Sequence, residues 1–203
     1  MPAGLLFEAT VANGWPAQKV ANRVSTPFGM ANAYTDMVSK IPGFSPPTLE
    51  FYDDLHGVGG LFLADQWVIA IGVRDMEEIA DHVFATRWAE VVQIVAQLAR
   101  EQGMVVRDVR QVMIGMGMER CISHELGHSL ISCGWHNPFA PDQEAGADFY
   151  AGKLDAARGQ SWRLGEMIFR AIGCTGPTCD HPTPDGRSQA YVAGYNEQSS
   201  SAA

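Results

Sequence analysis

The residues best suited to chemistry form the pentad HELGH at positions 124–128. On an α-helix, His124 and His128 lie one turn apart on the same face, so both imidazoles can reach one metal ion. Glu125 is rotated by about 100° from His124, which makes it a poor third ligand but places it well to remove a proton beside the ion. These residue types at this spacing predict a zinc site with Glu125 as general base.

The simpler interpretation is two helix histidines and a surface glutamate that share no ligand. We expect the helix that carries them to run from about Val106 or Asp108 to near Ile131, and it is apolar on most sides. Such a helix is typically central and buried. Burying His, Glu and His without a compensating partner would be costly, and a bound cation supplies that partner. The context therefore favours metal binding.

A catalytic zinc usually has three protein ligands, so a further ligand is expected. The pattern HExxHxxGxxH is absent, because Ile131 and Gly134 occupy its last two fixed positions. His136 lies off that spacing, and we interpret it as a loop histidine. Glu144 is the favoured third ligand, and Asp148, one turn later on the same face, can accept the second N–H of a zinc-bound histidine. The alternative is a solvated acidic first turn that the helix dipole stabilises.

Three segments together resemble gluzincin metallopeptidases, most closely the HtpX and CAAX prenyl protease family. They are the HELGH pentad, EAGAD at 144–148 and HPTPDGR at 181–187. That family pairs HExxH with a Glu in ExxAD, then a His-Pro segment followed by an Arg. The resemblance covers roughly Asp108 to Arg187, with a looser likeness of the preceding hairpin to the family's substrate-binding edge strand.

The resemblance implies a zincin-like metallopeptidase domain that holds one Zn²⁺ and hydrolyses peptide bonds. It implies Glu125 as the base, Asp148 as support for a ligand, and His181 or Arg187 near the substrate or the oxyanion. The ligands that it implies are His124, His128 and Glu144.

Two departures from the family pattern limit what the resemblance implies. The family's membrane-spanning helices are missing, so an integral-membrane role does not carry over. The interval from His128 to Glu144 is short, which is similar to the ImmA/IrrE regulatory peptidases that cleave repressor proteins. Those peptidases usually lack the His-Pro-Arg segment, so we rank them second. A regulatory peptidase, a toxin delivered to one target protein, and a non-catalytic zinc-stabilised binding protein remain the alternatives.

The strands and helices expected along the chain, which must position these residues, indicate a single α+β domain over residues 1–203. We expect a helix from about Pro16 to Val38 and a Pro/Gly-rich loop in residues 1–47, then a small, mostly antiparallel sheet over 48–73. A tight turn at Asp65-Gln66 separates two apolar runs. The strand Trp67–Val73 is the one to which we expect an extended substrate to add.

The remainder, 87–195, is predicted to be the helical catalytic part, packed on the sheet. An amphipathic segment runs from Trp88 to a stop at Gln102-Gly103, and the central helix follows it. Asp142 and Ser161 are expected to begin two further helices, and residues 196–203 a disordered tail.

Charge and composition limit the classes of partner that we expect. The net charge is −9, with 14 basic and 23 acidic residues, which argues against nucleic acid and anionic membranes and leaves a peptide or protein as the expected substrate. No signal peptide or transmembrane run is visible, so we expect a soluble protein that is cytoplasmic or exported without such a signal. Cys174 and Cys179 could form a disulfide in an oxidising compartment. The sequence leaves the oligomeric state open.

Overall fold

The computed structural model describes residues 4–8, 18–57, 59–101, 103, 105–172 and 182–201. These residues form an α+β arrangement of strands and helices. The strands are β1 (Gly4–Glu8), β2 (Gln18–Val24), β3 (Thr48–Tyr52), β4 (Gly60–Leu63) and β5 (Val68–Gly72). The helices are α1 (Met30–Ser39), α2 (Val73–Glu101), α3 (Val109–Ser132), α4 (Gln143–Ala157), α5 (Trp162–Ile172) and α6 (Pro184–Ser201).

Strands β2 to β5 form a mixed sheet, which β1 extends through its pairing with β2, in the order β1-β2-β3-β5-β4. β3 and β5 are parallel, whereas the other pairs are antiparallel. The prediction of an antiparallel sheet is therefore wrong for the central pair. The chain leaves β3 for the edge of the sheet, forms β4 there and returns between them as β5. The turn expected at Asp65-Gln66 joins β4 to β5, and the Gln66 amide donates to the Leu63 carbonyl at 3.2 Å.

The predicted helix from Pro16 to Val38 is correct only in its second half. Residues 18–24 form β2, and α1 begins after Gly29, where a φ of 83° turns the chain. β2 is fixed at β3 by Asp53, whose carboxylate accepts the backbone and side-chain N–H groups of Asn22 at 2.8 and 2.9 Å. The strand forms because a neighbouring strand offers partners, a contact that local propensity does not contain.

The helices that carry the predicted site begin close to the predicted positions, each after an aspartate N-cap. The Asp108 carboxylate accepts the Gln111 N–H at the start of α3, and the Asp142 carboxylate accepts the Ala145 N–H at the start of α4. Both are N-caps of the common kind, because a short acidic side chain satisfies a free N–H of the first turn. The helix after Ser161 is also present, as α5.

Two helices differ from prediction in their extent. α2 begins at Val73, directly after β5, and is interrupted at Arg87, where φ is −139°. α6 continues to Ser201, so residues 196–201, which we predicted to be disordered, are helical. α6 holds this length because it packs along α4, where both helices provide glycines at the contact. A Cβ on Gly194 would lie 1.9 Å from the Phe149 carbonyl oxygen.

α3 is the central element, as its apolar character predicted. It contacts α1, α2, α4, α5, β4 and β5. Its closest helix neighbour is α4, because a Cβ on Gly127 would lie 2.6 Å from the Ala147 carbonyl oxygen. This contact brings the backbones of the HELGH turn and of the EAGAD segment together. Within the described ranges, no helix combines the length and apolar character needed to cross a membrane.

Candidate metal centre

Three predicted ligands converge between α3 and α4. His124 Nε2 lies 3.1 Å from a Glu144 carboxylate oxygen and 3.1 Å from His128 Nε2, and His128 Nε2 lies 3.2 Å from the other Glu144 oxygen. They form the group of potential metal ligands in the described part of the chain. The histidines meet because they are one turn apart on α3, and Glu144 reaches them because Gly127 lets α4 approach closely.

The spacing of these atoms fits a small divalent ion. For metal–ligand bonds of about 2.0–2.1 Å, two ligand atoms of a tetrahedral site are roughly 3.3–3.4 Å apart. The three observed separations are 3.1, 3.1 and 3.2 Å. The donor set of two imidazoles and one carboxylate is also one that zinc commonly takes. The residues present therefore fit such an ion.

The hydrogen bonding of His124 gives a second reason for a cation. Its Nδ1 lies 2.7 Å from an Asp148 carboxylate oxygen, so Nδ1 carries the hydrogen and donates. In the neutral ring, Nε2 then presents a lone pair to the oxygen of Glu144, which is also an acceptor. Two acceptors at this distance repel each other unless a proton or a metal ion lies between them. The arrangement is therefore satisfied either by a proton on Nε2, as in the imidazolium form, or by a metal ion.

Behind His124, a buried ion pair fixes Asp148. Arg187, on α6, donates from Nε and Nη2 to the two carboxylate oxygens of Asp148, at 2.8 and 2.6 Å. Asp148 is fully buried and Arg187 is 3% exposed. The bidentate geometry holds the carboxylate in one orientation, and that carboxylate orients the imidazole. Phe169 packs against both His124 and Arg187, with the guanidinium carbon 5.3 Å from the centre of its ring.

Charge and burial shift the pKa values of the whole group. Burial works against a charged His124, but Asp148 and Glu144 outweigh it and raise the pKa of His124 to about 9. Burial works against ionised Glu144, yet its hydrogen bonds to the two histidines hold its pKa far below its ordinary value. The pKa of Asp148 is lowered in the same way, by His124 and Arg187 against the effect of burial. The site thus favours carboxylates and a shared positive charge.

Glu125 points to a different side of α3 from the two histidines. It is 5% exposed, and burial raises the pKa of its carboxyl group. The start of β4 lies directly against it: a Cβ on Gly60 would be 3.1 Å from Glu125 Oε1 and 2.3 Å from Cys121 Sγ. Glu125 therefore lies between the ligand cluster and the edge strand of the sheet. Cys121, one turn before Glu125 on α3, borders a cavity beside Glu125.

The position of the edge strand corrects one prediction. β5, which lies within the predicted Trp67–Val73 strand, has partners on both sides, β3 and β4. It cannot accept a further strand. In the described sheet the strand beside the site with a free edge is β4, from Gly60 to Leu63.

The other candidate residues that the structure describes lie away from the ligand atoms. His181, Cys174 and Cys179 fall outside the described residues, so the roles suggested for them stay predictions. Arg187 lies on the Nδ1 side of His124, paired with Asp148, whereas the ligand cluster forms at Nε2. His136 is an exposed loop residue, as expected. Three tyrosine hydroxyls near the C-terminal helices donate to other groups: Tyr150 to the His136 carbonyl, Tyr191 to Asp155 and Tyr195 to the Gln160 carbonyl.

Sequence reasoning missed the residues that surround Glu125. Gly60, Gly117 and Ile168 border one cavity beside it, and Phe169 supports His124. None stands at a spacing that marks it as functional. The only local signal is the glycine at position 117 inside an otherwise apolar helix, which would ordinarily indicate close helix packing. In fact a Cβ there would meet only Met76 Sδ, at 3.8 Å.

Comparisons with known proteins give no family for this chain. No family model, no curated protein and no solved structure matches it. The functional argument therefore depends on the site itself.

Proposed function

We propose that this protein is a zinc-dependent peptide hydrolase with a zincin-like site. The observation that carries the proposal is the convergence of His124, His128 and Glu144, whose ligand atoms lie close enough together to hold one metal ion. Glu125 beside that set supports a catalytic rather than a purely structural ion, because a structural site has no use for a buried acid next to it. The resemblance of the three sequence segments to gluzincins agrees with this interpretation.

In this proposal, His124, His128 and Glu144 hold the zinc ion, and Asp148 with Arg187 fixes the His124 ring. Zinc bound there supplies Lewis acidity and lowers the pKa of a water ligand to about 7. Glu125 takes a proton from the attacking water and passes it to the departing amine. Its pKa, which burial raises, suits the first step, because a stronger base accepts the proton more readily.

The same proposal gives the peptide a place. An extended chain that pairs with the free edge of β4 would run beside Glu125, because Gly60 brings the strand into contact with that carboxylate. Addition of a strand provides main-chain hydrogen bonds that do not depend on sequence. His181 is the sequence-based candidate for the oxyanion donor.

The direct test is Glu125→Gln, with Glu90→Gln, an exposed glutamate on α2, as the matched control. Zinc content should stay at one ion per chain in both variants. Hydrolysis in a peptide library should fall about 100-fold or more in Glu125→Gln, because a general base contributes roughly 10²–10⁴-fold. The control should match the wild-type protein.

Two outcomes would remove the proposal. Unchanged turnover in Glu125→Gln would take this residue out of the chemistry. The second outcome is a zinc-loaded protein that cleaves nothing, either in peptide libraries or in a survey of new N-termini across a proteome. If that protein also unfolds when zinc is removed, it is a zinc-stabilised binding protein. Cleavage of a single protein in that survey would identify a regulatory peptidase or a delivered toxin.

A further inference from the structure

A cavity of about 520 Å³ opens beside Glu125, on the side of α3 away from Glu144. One end is bordered by Glu125 and His124, and the floor by Gly117 and Cys121 of the same helix. α2 and α5 form the side walls. The volume falls in the range of about 300–1,000 Å³ that is usual for ligand pockets.

The side walls of the cavity are mostly apolar, and the exposed Glu78 and His82 of α2 also border it. Met76 and Ile79 face it from α2, and Ile168, Ala171 and Ile172 from α5. Met76 and Ile168 are each only 2% exposed, so these walls belong to the packed core. A group that enters the cavity therefore loses water on several sides, which favours apolar groups.

The two other buried charges at the cavity are already paired. Asp75, 3% exposed, accepts the backbone N–H groups of Leu55 and Gly57, and Arg187 is bound to Asp148. Neither is free to neutralise a charged guest. The hydrogen bonds to Asp75 also fix the loop that leads to β4. This loop borders the cavity at Gly57, so this part of the cavity wall is held in place without a ligand.

We propose that this cavity is the specificity pocket of the enzyme and takes a bulky apolar side chain, aliphatic or aromatic, next to the scissile bond. This inference rests on the proposed function, because it needs peptide hydrolysis at Glu125. The side chain belongs to a residue next to the bond because the cavity begins at the Glu125 carboxylate. Its size admits the largest side chains because Gly117 leaves the floor without a side chain.

The test fills the floor with Gly117→Leu. A Cβ at Gly117 meets only Met76 Sδ, at 3.8 Å, so the helix can accept the change while the new side chain occupies the cavity. Gly115→Leu is the matched control: it adds the same side chain to the same helix, at a position with no atom within 4 Å of the added Cβ and outside the cavity wall.

Cleavage of a peptide library by the wild-type protein should concentrate Leu, Ile, Met and Phe at one position next to the cut. Gly117→Leu should lower the cleavage of Phe peptides relative to Ala peptides at that position by at least about 10-fold, since one misfitting methylene in an apolar pocket costs 10–200-fold. Gly115→Leu should keep the wild-type preference. Cleavage without an apolar preference, or equal profiles for the two variants, would overturn the inference.

A second measurement does not need hydrolysis. In protein labelled with ¹³C at its methionine methyl groups, indole should shift the Met76 resonance in the wild-type protein and in Gly115→Leu, but not in Gly117→Leu. If indole leaves the chemical shift of the Met76 methyl group unchanged in all three proteins, the cavity admits no apolar guest. If indole binds but no peptide is cleaved, the proposed function fails, and the specificity pocket fails with it, while the apolar cavity itself remains.

Discussion

At the scale of single residues, the proposed function depends on which nitrogen of His124 carries its hydrogen. Asp148 accepts from Nδ1, which leaves Nε2 to face Glu144 and His128. Arg187 keeps Asp148 charged and oriented through two hydrogen bonds. The imidazole is thus held in the orientation that the proposed metal site requires, and the energetic cost of a buried arginine is offset by its pairing with that carboxylate.

The first prediction concerns this support. Asp148→Asn should weaken zinc binding by about 10–100-fold, because partners behind a metal ligand typically contribute that much to affinity. Competition with a chelator of known affinity measures the effect. Asp185→Asn provides the control, because this carboxylate pairs with Arg170 with 73% of its side chain exposed. Equal zinc affinity in Asp148→Asn and the wild-type protein would show that the aspartate does not act through His124.

At the scale of elements, the site is made by how closely α3 and α4 approach each other. Gly127 lies against the backbone at Ala147, and Gly146 lies against the side chain of Asn137. The small residues of the EAGAD segment permit this approach, and the glycine within HELGH takes part as well. The pentad therefore also acts as a packing motif.

The second prediction tests this approach. Gly127→Ala places a methyl group 2.6 Å from a backbone oxygen of α4, so the helices must separate and carry Glu144 away from the histidines. Zinc affinity should fall by at least about 10-fold, and the protein should lose about 1–3 kcal/mol of stability through overpacking. Titration calorimetry and urea unfolding measure the two effects. Gly115→Ala, with nothing near its added Cβ, should bind zinc normally.

The third prediction concerns the junction of β2 and β3. The carboxylate of Asp53 accepts two hydrogen bonds from Asn22, and these bonds lower its pKa from the ordinary 3.8. Asp53→Ala should therefore cost about 1 kcal/mol at pH 7, a modest value because the group is exposed. A lowered pKa means that this contribution is present above pH 3.8 and is lost as pH falls through the lowered value. Urea unfolding at several pH values measures the difference between the two proteins.

The expected control for that series is Asp65→Ala, at the exposed turn between β4 and β5. Its stability should match the wild-type protein at every pH. A destabilisation of Asp53→Ala that stays constant down to pH 2 would contradict the role of the ionised carboxylate.

At the scale of the whole molecule, α6 closes the fold over α4 and delivers Arg187 to the site. Gly152 and Gly194 let the two helices touch along their backbones. A second polar layer lies deeper in this interface, around Asp155. Its carboxylate accepts a hydrogen bond from the Tyr191 hydroxyl at 2.8 Å and forms an ion pair with Arg120 Nε at 3.0 Å. Both Asp155 and Tyr191 are fully buried. The ligand layer and this second layer share α3, α4 and α6, so global stability and metal binding draw on the same helices.

The fourth prediction separates the two layers. Zinc at 100 times its dissociation constant should raise the free energy of unfolding by about 2.7 kcal/mol, and Glu144→Gln should remove most of that increase. Tyr191→Phe should lower stability by about 1–3 kcal/mol through the lost bond to Asp155. Because the lost bond is not at the metal, the loss should be equal with and without zinc. Thermal unfolding of each protein in zinc and in chelator provides the comparison, and a Tyr191→Phe loss that appears only with zinc would contradict this separation.

The sequence alone determined the parts of this molecule that depend on neighbours along the chain. The start of α4 after Asp142 was predicted, and α3 begins after Asp108, one of the two starts predicted for it, because capping is a contact within one turn. The spacing of His124 and His128 followed from the same helical geometry. Glu144 was reached from the sequence as well, because its helix follows the histidines after a short loop.

Only the tertiary structure decided what depends on distant neighbours. The parallel pairing of β3 with β5, the strand at residues 18–24 and the free edge at β4 are contacts between separate segments, which local patterns do not encode. The placement of Arg187 behind His124, and the cavity between α2 and α5, likewise appear only when α6 and α5 pack on α3. The physical reason is that helix caps and periodicity are short-range, whereas packing of elements is settled by burial across the whole chain.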